Sequence, residues 1–432
     1  MTIGIVVSEA DEASAHVGEH LRELGEWERD GDALRDGDLE LRTFEDLHIH
    51  LDGVAEAFDD PDYVVFASRH SGETGALLTA HFTGNFGEAE YGGADRDLAE
   101  TCPNAAKHVL DAMEDYAPEE YEVGMECTHH GPTDVGAPAM FVELGSGEEQ
   151  WADPDAAEAV ARGILDLDGV DPTTERTVVA FGGGHYAPRP TRIVRETAWA
   201  VGHVGADWCL DDLGKPSAHH EVVAQAFENS GAERAVVDGD HPDLEVTIDD
   251  LGYEVRSETW VREVGRTDLD LVDALESDLE RVEDGLRFGE SAPDHDTDEY
   301  VVREVPGDLW DAAQAVDPED ALDAVAAHAL AYETVESGNR VQGRAAFAGV
   351  DDYDAMVDRL AELLDEEYES VEREADRVVA QVETFDPAKA HTLGVPEGPK
   401  FGRLAAGEPV TVDNREIPPE TVRTTETKEF PV

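Results

Sequence analysis

Four short segments of this chain place histidine in polar, glycine-containing sequence directly after an apolar run. They are Ser68-Arg69-His70-Ser71-Gly72-Glu73, His81-Phe82-Thr83-Gly84-Asn85, Glu126-Cys127-Thr128-His129-His130-Gly131-Pro132 and Gly182-Gly183-Gly184-His185-Tyr186-Ala187-Pro188. Imidazole changes charge near neutral pH and ligates metals, so at a strand end it serves as acid, base or ligand. Open α/β sheets carry their active sites at the carboxyl ends of strands.

Each segment has a plainer reading. His70 and Glu73 fit a turn or helix cap, and alone that reading is the stronger. His81 with Gly84 and Asn85 fits a satisfied histidine under a tight turn equally well. His129 and His130 are adjacent, and neighbours on a strand face opposite ways. Both reach one site only if the strand has already ended. Their spacing matches no zinc-finger or HExxH pattern. Gly182–Gly184 allows close backbone approach and exposes N–H groups for an oxyanion or phosphate, with His185 beside them. Cys127 is a nucleophile beside His129, or more commonly a buried inert thiol. His203 is a further candidate, and His219-His220 suits a solvated helix face. GxGxxG, the P-loop and the GxSxG elbow are absent.

Short apolar strands alternating with amphipathic helices must position these segments. Strands are expected at Ile3–Ser8, Asp62–Ser68, Ala76–Phe82, Tyr121–Cys127, Ala139–Leu144, Thr177–Phe181, Ala200–Val204 and Ala235–Val237. Helices are expected at Ala13–Leu24, Asn104–Tyr116, Pro154–Leu167, near Thr191–Thr197, and at Ala218–Asn229. The pattern predicts an α/β fold with a mixed, largely parallel sheet flanked by helices. After about residue 265 the composition shifts. Leu269–Leu286 and Tyr353–Val382 read as helices, and 289–299 as a polar linker. We expect a catalytic α/β domain over 1–265 and a mainly helical, acidic accessory extension over 270–432.

The 432 residues hold 102 acidic against 31 basic side chains, a formal net charge of -71. Five are lysines. Such self-repulsion opposes compaction in dilute buffer but is screened in molar salt, where the Debye length is ~3 Å. The charge therefore reads as halophilic adaptation, and neither supports nor excludes an RNA partner. Hydrophobic residues at 41% exclude an acidic disordered chain. No apolar run reaches the ~18 residues of a membrane span. Met1–Ser8 lacks a basic leader, and three cysteines without a CxxC pair exclude a disulfide scaffold. A cytoplasmic protein with no membrane partner, monomeric by preference, is expected.

Taken together and in order, SRHSGETGALLTAHFTGNFGEAEYGG, ECTHHGPTDVG and GGGHYAP resemble the archaeal and plant-type D-aminoacyl-tRNA deacylases, and IGIVVSEADEAS fits as well. The resemblance covers roughly the first 265 residues. It implies a peptidyl-tRNA hydrolase-like α/β fold. It implies hydrolysis of the ester between a D-amino acid and the 3′-terminal ribose of tRNA, with two zinc ions per subunit. The positions it carries over are His70, Glu73, His81, Asn85, Glu126, Thr128, His129, His130 and His185 with its glycines. GADWCLDD after His203 departs from the basic, proline-containing sequence of the family, which leaves His203 without an assigned role. The late LGVPEGPKFGRLAAGEPV resembles a loop of the tRNA 3′-processing metallo-β-lactamases, but HxHxDH is absent and no nuclease is implied.

On this reading His81, His129, His130, His185, Glu126 and Thr128 are the catalytic candidates. His81, His129, His185 and Glu126 are the metal candidates. His70, Glu73, Asn85, Gly182, Gly183, Gly184 and Tyr186 bind substrate, and Arg69, Arg189 and Arg192 hold its phosphates. Water activated by zinc or by a histidine attacks the ester, and the Gly182–Gly184 amides receive the oxyanion. Two other readings stand beside this one: a zinc-dependent amidohydrolase or peptidase acting on a small molecule, and a non-catalytic tRNA-end-binding module.

Overall fold

The computed structural model describes residues 1–295, 297 and 299–432. Two compact units divide the chain, Met1–Gly265 and Arg266–Val432.

The first unit begins with β1 (Ile3–Ser8), α1 (Glu12–Leu24), β2 (Glu28–Asp30), β3 (Ala33–Asp36), β4 (Leu39–Phe44), β5 (Tyr63–Arg69), β6 (Leu77–His81), β7 (Gly84–Asn85) and β8 (Asp97–Leu98). It continues through α2 (Pro103–Tyr116), β9 (Glu122–Met125), β10 (Ala139–Gly145), α3 (Glu148–Trp151), α4 (Pro154–Leu165), β11 (Thr177–Gly182) and α5 (Pro188–Glu196). It closes with β12 (Ala200–Gly205), α6 (Asp207–Leu213), α7 (His220–Glu228), β13 (Arg234–Asp238), α8 (Pro242–Asp250), β14 (Glu254–Val255) and α9 (Glu258–Val264).

An eight-stranded sheet runs β2-β3-β4-β1-β5-β10-β6-β9. Its centre is parallel from β4 through β10, and β6 is antiparallel to β10. Every residue of β1 and β10 is buried, as expected of continuous apolar runs covered on both faces. Gly18 of α1 packs against Val7, which puts this helix on the odd-numbered side of β1. The other side buries Val6, Val64, Phe66 and Phe141 beneath Val54, Ala55, Phe58 and Val135 from irregular segments. Loops rather than helices therefore cover this second face, and loops leave room for a cavity.

A second, four-stranded parallel sheet runs β12-β11-β13-β14. The hairpin-like β2–β4 and the division into two sheets were not legible in the strand pattern.

The second unit contains α10 (Leu269–Asp278), β15 (Leu286–Phe288), β16 (Val301–Glu304), α11 (Gly307–Val316), α12 (Pro318–Ala326), β17 (Ala331–Val335), β18 (Arg340–Phe347) and α13 (Val350–Leu363). Then follow β19 (Ser370–Arg373), β20 (Arg377–Phe385), α14 (Pro387–Thr392), α15 (Pro399–Ala405), β21 (Val410–Val412), β22 (Arg415–Ile417) and β23 (Arg423–Pro431). Strands and helices share this unit, so the mainly helical expectation is corrected. The helix expected to Val382 stops at Leu363, because Val378, Ala380 and Val382 share one face in a strand period, with Val378 and Ala380 buried. The helix expected to Leu286 stops at Asp278. Of the stretch read as a linker, positions 296 and 298 lie outside the described residues. Gly289 and Glu290 N–H groups donate to Leu330 and Ala326 carbonyls, and Ala292 is buried. These residues are packed rather than free.

Candidate active site

Strand register gathers the chemistry on one face of the large sheet. Glu143 of β10 pairs with Ser68 of β5 and Thr79 of β6, and Phe141 pairs with His81. Ala80 pairs with Met125, and the Glu126 N–H donates to Ala80 O, so Glu126 continues beside His81. Side chains two apart share a face, which sends His81, Glu126 and Glu143 to the same side. His70 follows β5 and closes over Gly145. A Cβ on Gly145 would sit 2.6 Å from the His70 Cβ, so only glycine admits the ring there.

The second sheet delivers His185. The Cys127 N–H donates to His185 O and the Thr128 N–H to Val204 O, each at 2.8 Å. The loop after β11 is thereby stitched to the strand end of β9. Gly182 has φ 85°, and a Cβ there would meet Asp238 O at 1.9 Å, so the turn requires glycine.

β9 ends at Met125, ahead of the paired histidines. His130 then takes φ 47°, a left-handed conformation costly for a non-glycine residue. The strand rule therefore no longer separates the two rings, whose centroids lie 4.4 Å apart. His81 stacks on His129 at 4.2 Å and lies 4.9 Å from His130.

The hydrogen bonds of these three rings have one form. His81 Nδ1–H donates to Phe82 O at 3.1 Å, His129 Nδ1–H to Cys127 O at 2.8 Å, and His130 Nδ1–H to Gly131 O at 2.8 Å. Each leaves Nε2 free of the backbone. Metal-binding histidines are oriented in this way, with the other ring N–H on a carbonyl. His81 Nε2 is buried without a hydrogen-bond partner, 3.6 Å from Glu143 Oε1. One donor atom from each of His81, His129 and His130 lies within 4.8 Å of the others; the same holds for Cys127–His129–His185 and for His70–Glu126–Glu143. Imidazole, carboxylate and thiolate donors suit zinc, so these residues fit such an ion.

Two carboxylates organise the rest. Glu126 Oε2 lies 2.8 Å from His185 Nε2, and Glu126 Oε1 lies 3.1 Å from His70 Nδ1. The latter pair is close enough for Coulomb attraction but out of line for a hydrogen bond, leaving Oε1 an orphaned buried acceptor. Glu143 Oε2 is 3.7 Å from His70 Nδ1. Burial opposes charge on His70, but Glu126 and Glu143 override it and push the imidazole up to about 10. His185 is likewise opposed by burial and is raised to about 10 by Cys127 and Glu126. Burial pushes Glu143 up, yet His70 and His81 bring it down to about 2. Burial holds His130 well below the usual imidazole range, with His129 and His81 adding to the effect. The cluster thus contains both imidazolium–carboxylate pairs and a neutral imidazole.

A cavity of about 360 Å³ opens onto this cluster, lined by residues including Arg69, His70, Tyr91, His129, His130, Phe141, Glu143 and His185. Tyr186 is half-exposed at its edge, with Oη 3.3 Å from His70 Nε2. A second, larger cavity of about 590 Å³, lined by Asp207, Leu210, His241 and neighbours, contains none of the imidazole cluster.

Other expected site residues lie elsewhere. Glu73 is exposed and does not line the cavity. Asn85 Nδ2–H donates to Gly92 and Ala94 carbonyls, bracing the loop that carries Tyr91. Thr128 is buried, its Oγ1 3.0 Å from His203 Nδ1. His203 Nε2–H donates to Ala99 O, so His203 Nδ1 is an acceptor and the Thr128 hydroxyl proton goes to it. Both residues are structural, and Thr128 has no proton to offer the cavity. The Gly183 N–H donates to Asp207 Oδ1, so this amide is not open to an oxyanion. Gly184 has open space around it. Arg192 is bidentate on Glu258, and Arg189 faces Asp238 and Glu258, so neither is open to phosphate. Arg69 does line the cavity, over the Trp151 ring.

Glu143 was missed. The signal was available: it is the one acid in the apolar strand AMFVELG. His48 and Asp11 were missed too. Asp11 caps α1 through Oδ1, and its Oδ2 reaches the Arg69 N–H at 3.3 Å and His48 Nδ1 at 3.8 Å.

An α/β frame that aims imidazoles and carboxylates from two sheets into one cavity is that of a hydrolase. The chain matches the D-aminoacyl-tRNA deacylase family over residues 57–256. A Halobacterium salinarum protein named D-aminoacyl-tRNA deacylase is 56% identical, over 98% of this chain and 94% of its own. One of that name from Natronomonas pharaonis is 52% identical over 99% of each chain, and one from Methanoregula boonei is 31% identical over 98% and 96%. The chain is also similar to the crystal structure of AF0625, a conserved protein of unknown function, with TM-score 0.56 and 29% identity. That likeness covers 62% of this chain and 99% of AF0625. The chain belongs to the D-aminoacyl-tRNA deacylase family.

Proposed function

We propose that this protein hydrolyses the ester of D-aminoacyl-tRNA, releasing the D-amino acid and free tRNA, in the cytoplasm of a halophile and as a monomer. Family membership supports the reaction. The observation that carries the site is the trio His81, His129 and His130, whose Nδ1–H groups are committed to backbone carbonyls and which each bring one ring nitrogen within 4.8 Å of the others. These three would hold zinc. The resemblance implies two ions per subunit; His70, Glu126 and Glu143 form the donor group that shares no residue with the first.

Zinc bound there supplies Lewis acidity toward the ester carbonyl and toward water. The chain's own groups do the rest. Fully buried Glu126 holds His70 and His185 charged and oriented, and they in turn hold its carboxyl well below the usual range. His70 directs its Nε2–H at Tyr186 Oη, and the tyrosine hydroxyl donates to the leaving 3′ oxygen. Arg69, on the cavity wall, holds the substrate's terminal phosphate. The surrounding Phe141, His48 and Ile49 give the wall a shape that selects the hand of the α-carbon.

The test is amino-acid release from D-tyrosyl-tRNA and L-tyrosyl-tRNA in molar KCl, with and without a chelator. D-selective release abolished by chelation and restored by zinc is the expected result. D-selective release that survives chelation removes zinc and keeps the reaction. No release of either enantiomer by folded protein overturns the reading and favours the small-molecule hydrolase or the non-catalytic binder.

A further inference from the structure

Trp151, at the end of α3, uses its indole unlike the tryptophans of the core. Trp199, Trp260 and Trp310 are fully buried and leave the indole N–H without a hydrogen-bond partner. The Trp151 Nε1–H donates to His70 O at 2.9 Å. The His70 N–H donates in turn to Leu144 O at 3.0 Å. Both backbone polar groups of His70 are therefore held, one by β10 and one by α3. With the backbone clamped, the imidazole keeps its Nδ1 3.1 Å from Glu126 Oε1 and its Nε2 3.3 Å from Tyr186 Oη.

The same indole carries Arg69, whose guanidinium carbon lies 5.2 Å from the ring centroid. Asp11 Oδ2 is 4.0 Å from Arg69 Nε, beyond hydrogen-bond reach. Stacking orients a guanidinium through its face and leaves the N–H edge for a ligand. Arg189 and Arg192 differ, because their edges are turned onto Asp238 and Glu258. Trp151 is anchored from behind: His16 of α1 donates Nδ1–H to Trp151 O at 2.8 Å. The side chain is half-buried and does not line the cavity, so it acts through its two neighbours rather than on substrate.

We propose that Trp151 is a positioning residue for hydrolysis, setting Arg69 with its ring and His70 with its N–H. This rests on the deacylase reading. Arg69 and His70 are consecutive but have separate tasks. Arg69 holds phosphate and so governs affinity. His70 orients Tyr186 toward the leaving oxygen and so governs turnover. One side chain outside the cavity thereby fixes the distance between the group that binds and the group that reacts.

The experiment is steady-state hydrolysis of D-tyrosyl-tRNA in molar KCl by wild type, Trp151→Phe, Trp151→Leu, Arg69→Ala and the double variant Trp151→Leu/Arg69→Ala. Phenylalanine keeps a ring under Arg69 and loses the N–H, so kcat should fall about tenfold with KM within about twofold of wild type. Leucine loses both contacts, so the same fall in kcat should come with a KM raised about three- to fivefold. In the Arg69→Ala background, Trp151→Leu should leave KM unchanged and still lower kcat. A tryptophan that merely supports the fold would raise KM by the same factor in both backgrounds, and that result overturns the proposal. A wild-type kcat for Trp151→Phe overturns it too, and this readout holds even where Trp151→Leu does not fold. Wild type that releases nothing from D-tyrosyl-tRNA overturns the deacylase reading itself.

Discussion

Glu126 and His185 come from different sheets and meet at 2.8 Å, carboxylate Oε2 to imidazole Nε2. The acid is fully buried and the imidazole is not. A buried carboxylate needs a partner to stay charged, and a half-exposed imidazole needs an anion to stay protonated away from its ordinary range. Each group therefore sets the charge of the other, and the pair fixes where the two sheets join.

Glu126→Gln keeps the shape and removes the charge. His185 and His70 both lose a raising influence. The expected kcat/KM on D-tyrosyl-tRNA falls about 10²-fold or more. The pH profile should shift as well, because imidazoles held at about 10 return toward 6.5. A variant with wild-type kcat/KM removes Glu126 from the chemistry.

Gly145→Ala tests position without touching a titrating group. The new methyl would meet the His70 Cβ at 2.6 Å. Backbone and ring must yield, at a cost of about 1–3 kcal/mol in stability. We expect lower turnover from a displaced His70 together with a lower denaturant midpoint. Unaltered turnover would mean that His70 placement is not critical.

His130→Ala removes one lone pair of the imidazole trio. The expected outcome is zinc content reduced by about one ion per chain, measured by metal analysis after dialysis, and hydrolysis reduced at least 10²-fold. Zinc retained in full would move the ion to another of the donor groups.

His203→Gln isolates a pH term. Burial holds folded His203 at about 4, and the ordinary value is 6.5. The unfolded chain therefore binds the proton first. This stability is complete above pH 6.5 and is lost progressively as pH falls to 4. His48, also held at about 4 mainly by burial, adds a second such term. Each contributes a slope of about 1.4 kcal/mol per pH unit across that window. Glutamine can accept from Thr128 and donate to Ala99 but does not titrate. Denaturant melts from pH 4 to 7 should show the variant's slope smaller by one proton; equal slopes would assign the acid sensitivity to other groups.

Much of this site could be read along the chain because its parts are local. His70, His81, His129, His130 and His185 each follow an apolar run, and strand ends are visible as the place where such a run stops. The β1, β5, β10 and β11 runs were legible for the same reason. What escaped depends on pairing. Glu143 reaches the cluster only because β10 lies between β5 and β6, an order no local pattern encodes. Thr128 looked catalytic beside two histidines, but β12 brings His203 against it from 75 residues away. Arg189 and Arg192 looked free until α9 brought Glu258 to them. In the second unit, the alternation of Val378, Ala380 and Val382 was covered by a helical reading extended too far from α13.

The stitching of Cys127 to His185 O and Thr128 to Val204 O has a consequence for salt. The site exists only while the two sheets remain joined. A chain of net charge -71 repels itself most strongly when counter-ions are withdrawn, and that repulsion works against the junction. Dilution from molar salt should therefore extinguish hydrolysis while most helix and strand signal persists. Catalysis then acts as a gauge of ionic strength, failing early and, on return of salt, recovering without a full refolding of either sheet.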